Sequence, residues 1–163
     1  MLEPHLSHRL NPMSDIFERI LLLKNSNIFS EVKTEDLRHL ARALEDEMYA
    51  KGDRVFDINE RGDRMYIIQS GKVGISTDAN PRVQEFVITL GPGNTFGELN
   101  LLDDLPRSAT AHIVEDSHIL SLEKERLHQL IINYPELSFG ILKSLSLRLR
   151  HTTTKLQEIP NKD

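Results

Sequence analysis

Apolar positions recur at helical spacing at both ends of the chain and at strand spacing through its middle. Ile16, Ile20 and Leu23 keep one helical face, and Asp15-x-x-Glu18 has the spacing of a capping signal. Asn25-Ser26-Asn27 breaks that run. Thr34 suits the cap of a second helix, in which Leu37, Leu40, Ala41 and Leu44 fall at i, i+3, i+4 and i+7. From Met48 the period changes. Turns at Lys51-Gly52-Asp53, Arg61-Gly62-Asp63, Ser70-Gly71-Lys72 and Leu90-Gly91-Pro92-Gly93 separate short β-rich runs at 54–56, 65–68, 73–75 and 85–90. Residues 78–82 read as a hairpin loop. Two more strands are expected at 109–112 and 118–122, divided by the polar Glu115-Asp116-Ser117. Short strands with turn chemistry at regular intervals mark an antiparallel roll or sandwich. Helical spacing returns at Lys124 with Leu127, Leu130 and Ile131. Asn133-Tyr134-Pro135 interrupts it, and Pro135 suits the first turn of a last helix. There Leu137, Ile141, Leu145 and Leu149 step by four along a single face, with Leu142 and Leu156 beside it.

Composition narrows the class. A chain of 163 residues is long enough for one domain with a real core and too short for two comfortable ones. Apolar residues at 39% and charged ones at 28% are ordinary for a soluble globular protein. The net charge of -5 gives no basic footprint for nucleic acid. The absence of cysteine excludes disulfides, iron–sulfur clusters and thiolate zinc sites, and leaves the redox compartment open. The longest apolar runs, such as Ile20-Leu21-Leu22-Leu23, fall far short of a membrane span. The first ten residues lack the apolar core of a signal peptide, so a cytoplasmic location is expected.

The candidate chemistry lies at 94–111. Gly93 and Gly97 supply backbone freedom where an apolar strand ends. Residues 97–102 form one short helical turn in this reading, whose first N–H groups attract phosphate. Arg107 carries a planar, permanently charged fork suited to phosphate oxygens, and Pro106 fixes the chain before it. Ser108 offers a hydroxyl, and the small Ala109 admits a ligand to the backbone. Glu98 is unsuited to phosphate but can accept a hydrogen bond from a sugar hydroxyl. Taken singly, each residue has a plainer reading. Arg107 would pair on the surface with Asp103 or Asp104, Glu98 would serve a helix dipole, and Ser108 would be a turn residue. Arg61-Gly62-Asp63 reads as a plain polar turn.

Phe96-Gly97-Glu98-Leu99 followed by Pro106-Arg107-Ser108-Ala109-Thr110 resembles the phosphate-binding cassette of the cyclic nucleotide-binding domains. The likeness runs from about Ser26 to Leu156. It implies an α+β, mainly β fold: an antiparallel, jelly-roll-like β-roll flanked by N-terminal helices and two C-terminal helices. A single domain would span 14–157, with helices in 15–47, the roll in 48–123 and C-terminal helices in 124–157. Residues 1–13 would be a tail or linker stub, and 158–163 a tail. The resemblance implies that Arg107 pairs with the cyclic phosphate and Glu98 accepts from the ribose 2′-hydroxyl. The N–H groups of Gly97, Glu98 and Ala109 and the Ser108 hydroxyl would complete the cradle, with Phe96 and Leu99 beside them. Ile75, Val87 and Ile88 are the candidates for the base. The last helix would close as a lid, bringing Leu145, Arg148, Leu149 or Thr152 to the purine. Asn100 departs from the many cassettes that carry a small apolar residue there, without touching the ligand groups.

The expected ligand is cyclic AMP rather than cyclic GMP, by resemblance to bacterial members with the same P-R-S-A-T run; no cofactor or metal is expected. A hydroxyl directly after the arginine often contacts the base in guanosine-selective relatives, and Ser108 holds that position. The residues after Leu156 leave no room for a helix-turn-helix unit. The chain is therefore expected to be a sensor read by a partner protein, or the ligand module of a longer protein, with no catalysis, direct nucleic-acid binding or membrane insertion. The apolar row of the last helix could serve a homodimer as easily as a lid. Two other classes stay open. A cupin-like metal-dependent enzyme would need a ligand set from His5, His8, His39, His112, His118, His128 and His151, which form no H-x-H pair. An interaction domain with a degenerate pocket would not need Arg107 and Glu98 together.

Overall fold

The computed structural model describes residues 12–78 and 85–159. Two helices come first, α1 (Pro12–Lys24) and α2 (Thr34–Ala43). Six strands follow: β1 (Glu45–Tyr49), β2 (Arg54–Phe56), β3 (Arg64–Ser76), β4 (Ile88–Leu90), β5 (Thr95–Phe96) and β6 (Thr110–Glu123). A 3-10 helix (Glu98–Leu101) lies between β5 and β6, and α3 (Lys124–Asn133) and α4 (Glu136–Gln157) close the chain. The strands form one antiparallel sheet in the order β1-β6-β3-β4, with β2 also on β6 and β5 also on β3. This is the mainly β, α+β roll with helices on either side in sequence that the chain implied.

The spine is the long β3–β6 ribbon, paired from Arg64↔Glu123 to Ser76↔Thr110. The sequence pattern divided each of these strands in two, at Gly71 and at Glu115-Asp116-Ser117. The structure instead carries the ladder through, with register shifts between Ile68 and Val73. Gly71 has φ +101°, and a Cβ there would lie 2.0 Å from Ser117 Oγ. That hydroxyl accepts from Lys72 N at 3.1 Å and donates to Glu115 O at 2.7 Å. The polar residues therefore build a bulge, which bends a strand without ending it.

Successive side chains on β3 point to opposite faces, and both faces are covered. Met65 and Ile67 join a core with Leu23, Leu40 and Leu137 from the helices and Phe29 from the α1–α2 loop. Tyr66 and Ile68 join a second core inside the roll with Phe96, Ala111 and Ile119. Leu101 belongs to the first core, so the 3-10 helix is pinned beneath the helices.

Several expected boundaries move. The N-terminal helices end at Ala43, and β1 begins at Glu45 rather than 48, because residues 45–49 pair with Ser121–Ser117 of β6. Helix α1 starts at Pro12, so Asp15 lies in its first turn and pairs with Arg19 at 3.2 Å instead of capping. Lys33, not Thr34, is the N-cap of α2, and it makes no side-chain cap bond. Only Ile88–Leu90 of the expected 85–90 strand joins the ladder. The expected tail up to residue 11, most of the 78–82 loop, and His5 and His8 lie outside the described residues, as do 160–163 of the C-terminal tail.

Helix α4 sits against the loop between α1 and α2. A Cβ on Gly140 would meet Val32 Cγ2 at 2.7 Å, and the buried Ser144 Oγ accepts from Glu31 N at 2.9 Å. Leu137 and Ile141 are buried, but the row of leucines does not stay on a covered face: Leu149 is 68% exposed and Leu156 64%. Beyond Leu145 the helix leaves the core, so spacing alone overstated what it buries. No helix among the described residues is long and apolar enough to cross a membrane.

Candidate functional site

Residues 91–94 form a tight turn closed by Asn94 N to Gly91 O at 3.0 Å. It delivers the chain to β5, where Phe96 stacks on Tyr66 with ring centroids 5.0 Å apart. Gly97 then turns at φ 72°, a left-handed conformation that side chains resist. The turn starts the 3-10 helix at Glu98, much as the sequence implied for 97–102. After Pro106 the backbone of Arg107 is held on both sides by the β2–β3 turn. Its N donates to Glu60 O at 2.7 Å, and its O accepts from Asn59 N at 2.8 Å.

Arg107 is only 4% exposed. Its Nη1 donates to Gly97 O at 3.2 Å and Asn100 Oδ1 at 3.0 Å, and its Nη2 donates to Arg64 O at 2.9 Å. The guanidinium lies 4.0 Å over the Phe56 ring. Its Nε is buried with no partner. Burial lowers the pKa of this guanidinium, against the pull of Tyr66, Asp63 and Glu60. Arginine keeps its proton even so. Two glycines clear its seat: a Cβ at Gly62 would lie 2.3 Å from Nε, and one at Gly97 2.5 Å from Nη1.

Two of the plainer readings and one expectation do not hold. Arg107 does not pair with Asp103 or Asp104; Asp104 is taken by Lys124, and Asp103 accepts from Leu105 N. The Arg61-Gly62-Asp63 turn is part of the arginine's seat, since Gly62 packs on the guanidinium and Arg61 bridges to Pro106. Asn100 is buried and bonds Arg107 directly, so the departure from the cassette pattern does reach a residue of the expected ligand set.

Glu98 accepts from Arg148 Nη1 on α4 at 3.3 Å. The carboxylate side chain is 13% exposed and the arginine 40%. A cavity of about 390 Å³ opens between these groups. Of the sequence-derived residues, it is lined by Ile75, Ile88, Phe96, Gly97, Glu98, Leu99, Arg107, Ser108, Ala109 and Arg148. Ile75 and Ile88 are register partners across β3 and β4, which sets them side by side on one wall. Val87 does not line it. Neighbouring side chains alternate across a strand, and Val87 is 69% exposed beside Phe86, Glu85 and Thr77 at another depression. Of the lid candidates only Arg148 reaches the cavity. Leu145 packs on the helical core, Leu149 is exposed, and Thr152 Oγ1 donates to Arg148 O.

Sequence reasoning missed Asn27, Phe56, Leu90, Thr95 and Asn100 on the cavity wall. Leu90 was accessible by period, two positions beyond Ile88. Asn27 carries no signal, because only packing brings the α1–α2 loop to the roll.

The arrangement sets a cation, a carboxylate and an apolar wall around one cavity. Such a set suits a small anion that also carries a hydroxyl and a flat apolar group. Among the described residues no histidine lines it: His39 stacks on Tyr134 at 3.7 Å, and His118 Nε2 meets Asp46 at 2.7 Å. Among the described residues no group of three or more His, Cys, Asp or Glu could hold a metal ion.

The family model described as "Cyclic nucleotide-binding domain" matches residues 46–134. The chain is 33% identical over 138 residues to the CRP-like cAMP-activated global transcriptional regulator of Mycobacterium tuberculosis, covering 85% of this chain and 62% of that protein. It is 31% identical over 134 residues to the cyclic AMP receptor protein of Thermus thermophilus, covering 82% and 62%. The chain thus spans less than two thirds of the length of these relatives. Among solved structures, the N-terminal domain of a transcriptional regulator from Streptomyces coelicolor superposes with a TM-score of 0.74 at 26% identity, covering 87% of this chain and 96% of that one.

Proposed function

This chain belongs to the cyclic nucleotide-binding domain family, and from that membership we propose that it is a cytoplasmic regulatory module, one ligand domain over 14–157, that binds cyclic AMP and catalyses nothing. The observation that carries the proposal is the buried Arg107 guanidinium on the cavity wall, held by neutral oxygens with its Nε unpartnered. A buried cation without a counter-charge is costly, and a phosphate entering the cavity relieves that cost. Glu98 takes the ribose 2′-hydroxyl, and Ser108 with the N–H groups of Gly97, Glu98 and Ala109 takes the remaining phosphate oxygens. Ile75, Ile88 and Leu90 receive the base. Cyclic AMP is preferred to cyclic GMP because both relatives named above are described by it. Only base-edge contacts separate the two nucleotides strongly. Calorimetry and thermal shift with both nucleotides test this. Cyclic AMP at about one hundred times its Kd should stabilise the protein by about 2.7 kcal/mol. No shift with either nucleotide refutes the module, and a clear preference for cyclic GMP reassigns the ligand.

The ligand and α4 share Glu98. When the 2′-hydroxyl takes this carboxylate, Arg148 is released, and the part of α4 beyond its anchor at Ser144 moves. A partner protein or second copy would read the exposed Leu149 and Leu156. By linkage, that reader must alter ligand affinity by the same factor. With the arginine 40% exposed and the contact single and 3.3 Å long, the pair is worth about 0–1 kcal/mol. Arg148→Ala should therefore raise cyclic AMP affinity by up to about fivefold and leave 2′-deoxy cyclic AMP unchanged. A loss of affinity for both would mean that Arg148 grips the ligand itself. Hydrogen exchange along residues 145–157 should change on adding cyclic AMP, and unaltered protection would rule the movement out.

A further inference from the structure

Three oxygens hold the Arg107 guanidinium: Gly97 O, Arg64 O and Asn100 Oδ1. All three are neutral, and among the described residues no carboxylate forms an ion pair with it. Asn100 is the one side chain of the three. Its amide is used at both ends, since Nδ2 donates to Leu105 O at 2.6 Å while Oδ1 accepts from Nη1. The donor requirement at Leu105 O settles which way the amide faces. A small apolar residue here would leave Nη1 with Gly97 O alone. A carboxylate would hold the fork as well and cancel its charge.

We infer that Asn100 is a positioning residue for anion recognition: its neutral amide orients Arg107 at the cavity while leaving the guanidinium charge free for a phosphate. A purely architectural role, tying residues 102–106 to the 3-10 helix, needs only the donor to Leu105 O. The accepting oxygen is accounted for by the arginine. This inference rests on the cyclic-nucleotide reading of the cavity, so its test includes a readout that needs no ligand.

The variants are Asn100→Asp and Asn100→Ala. In the ligand-free protein, nitrogen-15 spectra of arginine side chains report whether the Arg107 N–H groups are held. They should be held in the wild type and in Asn100→Asp, and should average by rotation in Asn100→Ala. Calorimetry then compares cyclic AMP with its neutral methyl phosphotriester. Asn100→Asp should weaken cyclic AMP binding by about tenfold or more, the scale of one charge-assisted contact. It should weaken the triester much less, because a neutral ligand does not draw on the guanidinium charge, and the lost donor to Leu105 O acts on both ligands alike. An architectural role would lower both affinities alike, and that result overturns the inference, as does cyclic AMP affinity kept within twofold. If Asn100→Asp does not fold, Asn100→Ala decides: held Arg107 signals in that variant overturn the positioning role. If the wild type binds no cyclic nucleotide, the function proposed above falls. The spectra still judge the orientation of Arg107 by Asn100, and averaged signals in the wild type would defeat it.

Discussion

Arg107→Ala is expected to weaken cyclic AMP binding by about 30-fold to several thousand-fold and to leave the roll folded. Removing one partner of a buried charge pair costs about 2–5 kcal/mol, largely because the other charge is left unpaired. Here the orphan would be a phosphate inside the cavity. The fold should survive because neither hydrophobic core depends on the guanidinium. Leu101, Phe96 and Tyr66 are buried by other contacts. The lost hydrogen bonds to Gly97 O, Asn100 and Arg64 O are offset by removing a buried cation that forms no ion pair with a carboxylate among the described residues. Titration calorimetry with a thermal melt checks both halves. Wild-type affinity in this variant would leave the site with no anchor. Arg107→Lys should fall between the two, since an ammonium keeps the charge but lacks the planar fork that reaches several acceptors at once.

Gly97→Ala should damage stability and binding together. The position has φ +72°, where an L side chain costs about 1–2 kcal/mol. For a chain of this size that lowers Tm by about 2–8 °C. The new Cβ would also clash with Arg107 Nη1 at 2.5 Å and stand in tight contact with Arg64 O at 3.3 Å. The guanidinium must shift, and cyclic AMP affinity should fall by about tenfold or more, as for the loss of one charge-assisted contact. The double variant Gly97→Ala/Arg107→Ala separates the two effects. With the guanidinium gone the clash is relieved, so the stability losses should sum to more than the double variant shows. Strict additivity in melting, or undiminished binding in the single variant, would mean that the arginine's seat is loose.

Much of this molecule is visible in short windows of its chain. Leu37, Leu40 and Ala41 announce a buried helical face three and four residues apart, and they are buried in α2. Residues 96–99 and 106–110 carry the family's cassette as continuous text, because a phosphate cradle is made of one turn and the strand after it. The resemblance also led to Ile75 and Ile88, which line the cavity, and to Val87, which does not, because a one-residue step changes the face of a strand. Local spacing erred at Glu115-Asp116-Ser117, where polar residues form a bulge that only the partner strand makes possible.

The amino-acid sequence determined the alternation of elements, the family and the identity of the charged pair, all of which depend on neighbours along the chain. Tertiary structure alone decided what those charges meet. Arg107 takes its backbone acceptor from Arg64, 43 positions earlier, and rests on Phe56 in the space that Gly62 leaves clear. Glu98 meets Arg148 across 50 positions. Whether an arginine is a solvated surface charge or a buried cation held by neutral acceptors depends on the dielectric and the groups around it. Those come from segments brought together by packing, and no local spacing encodes them.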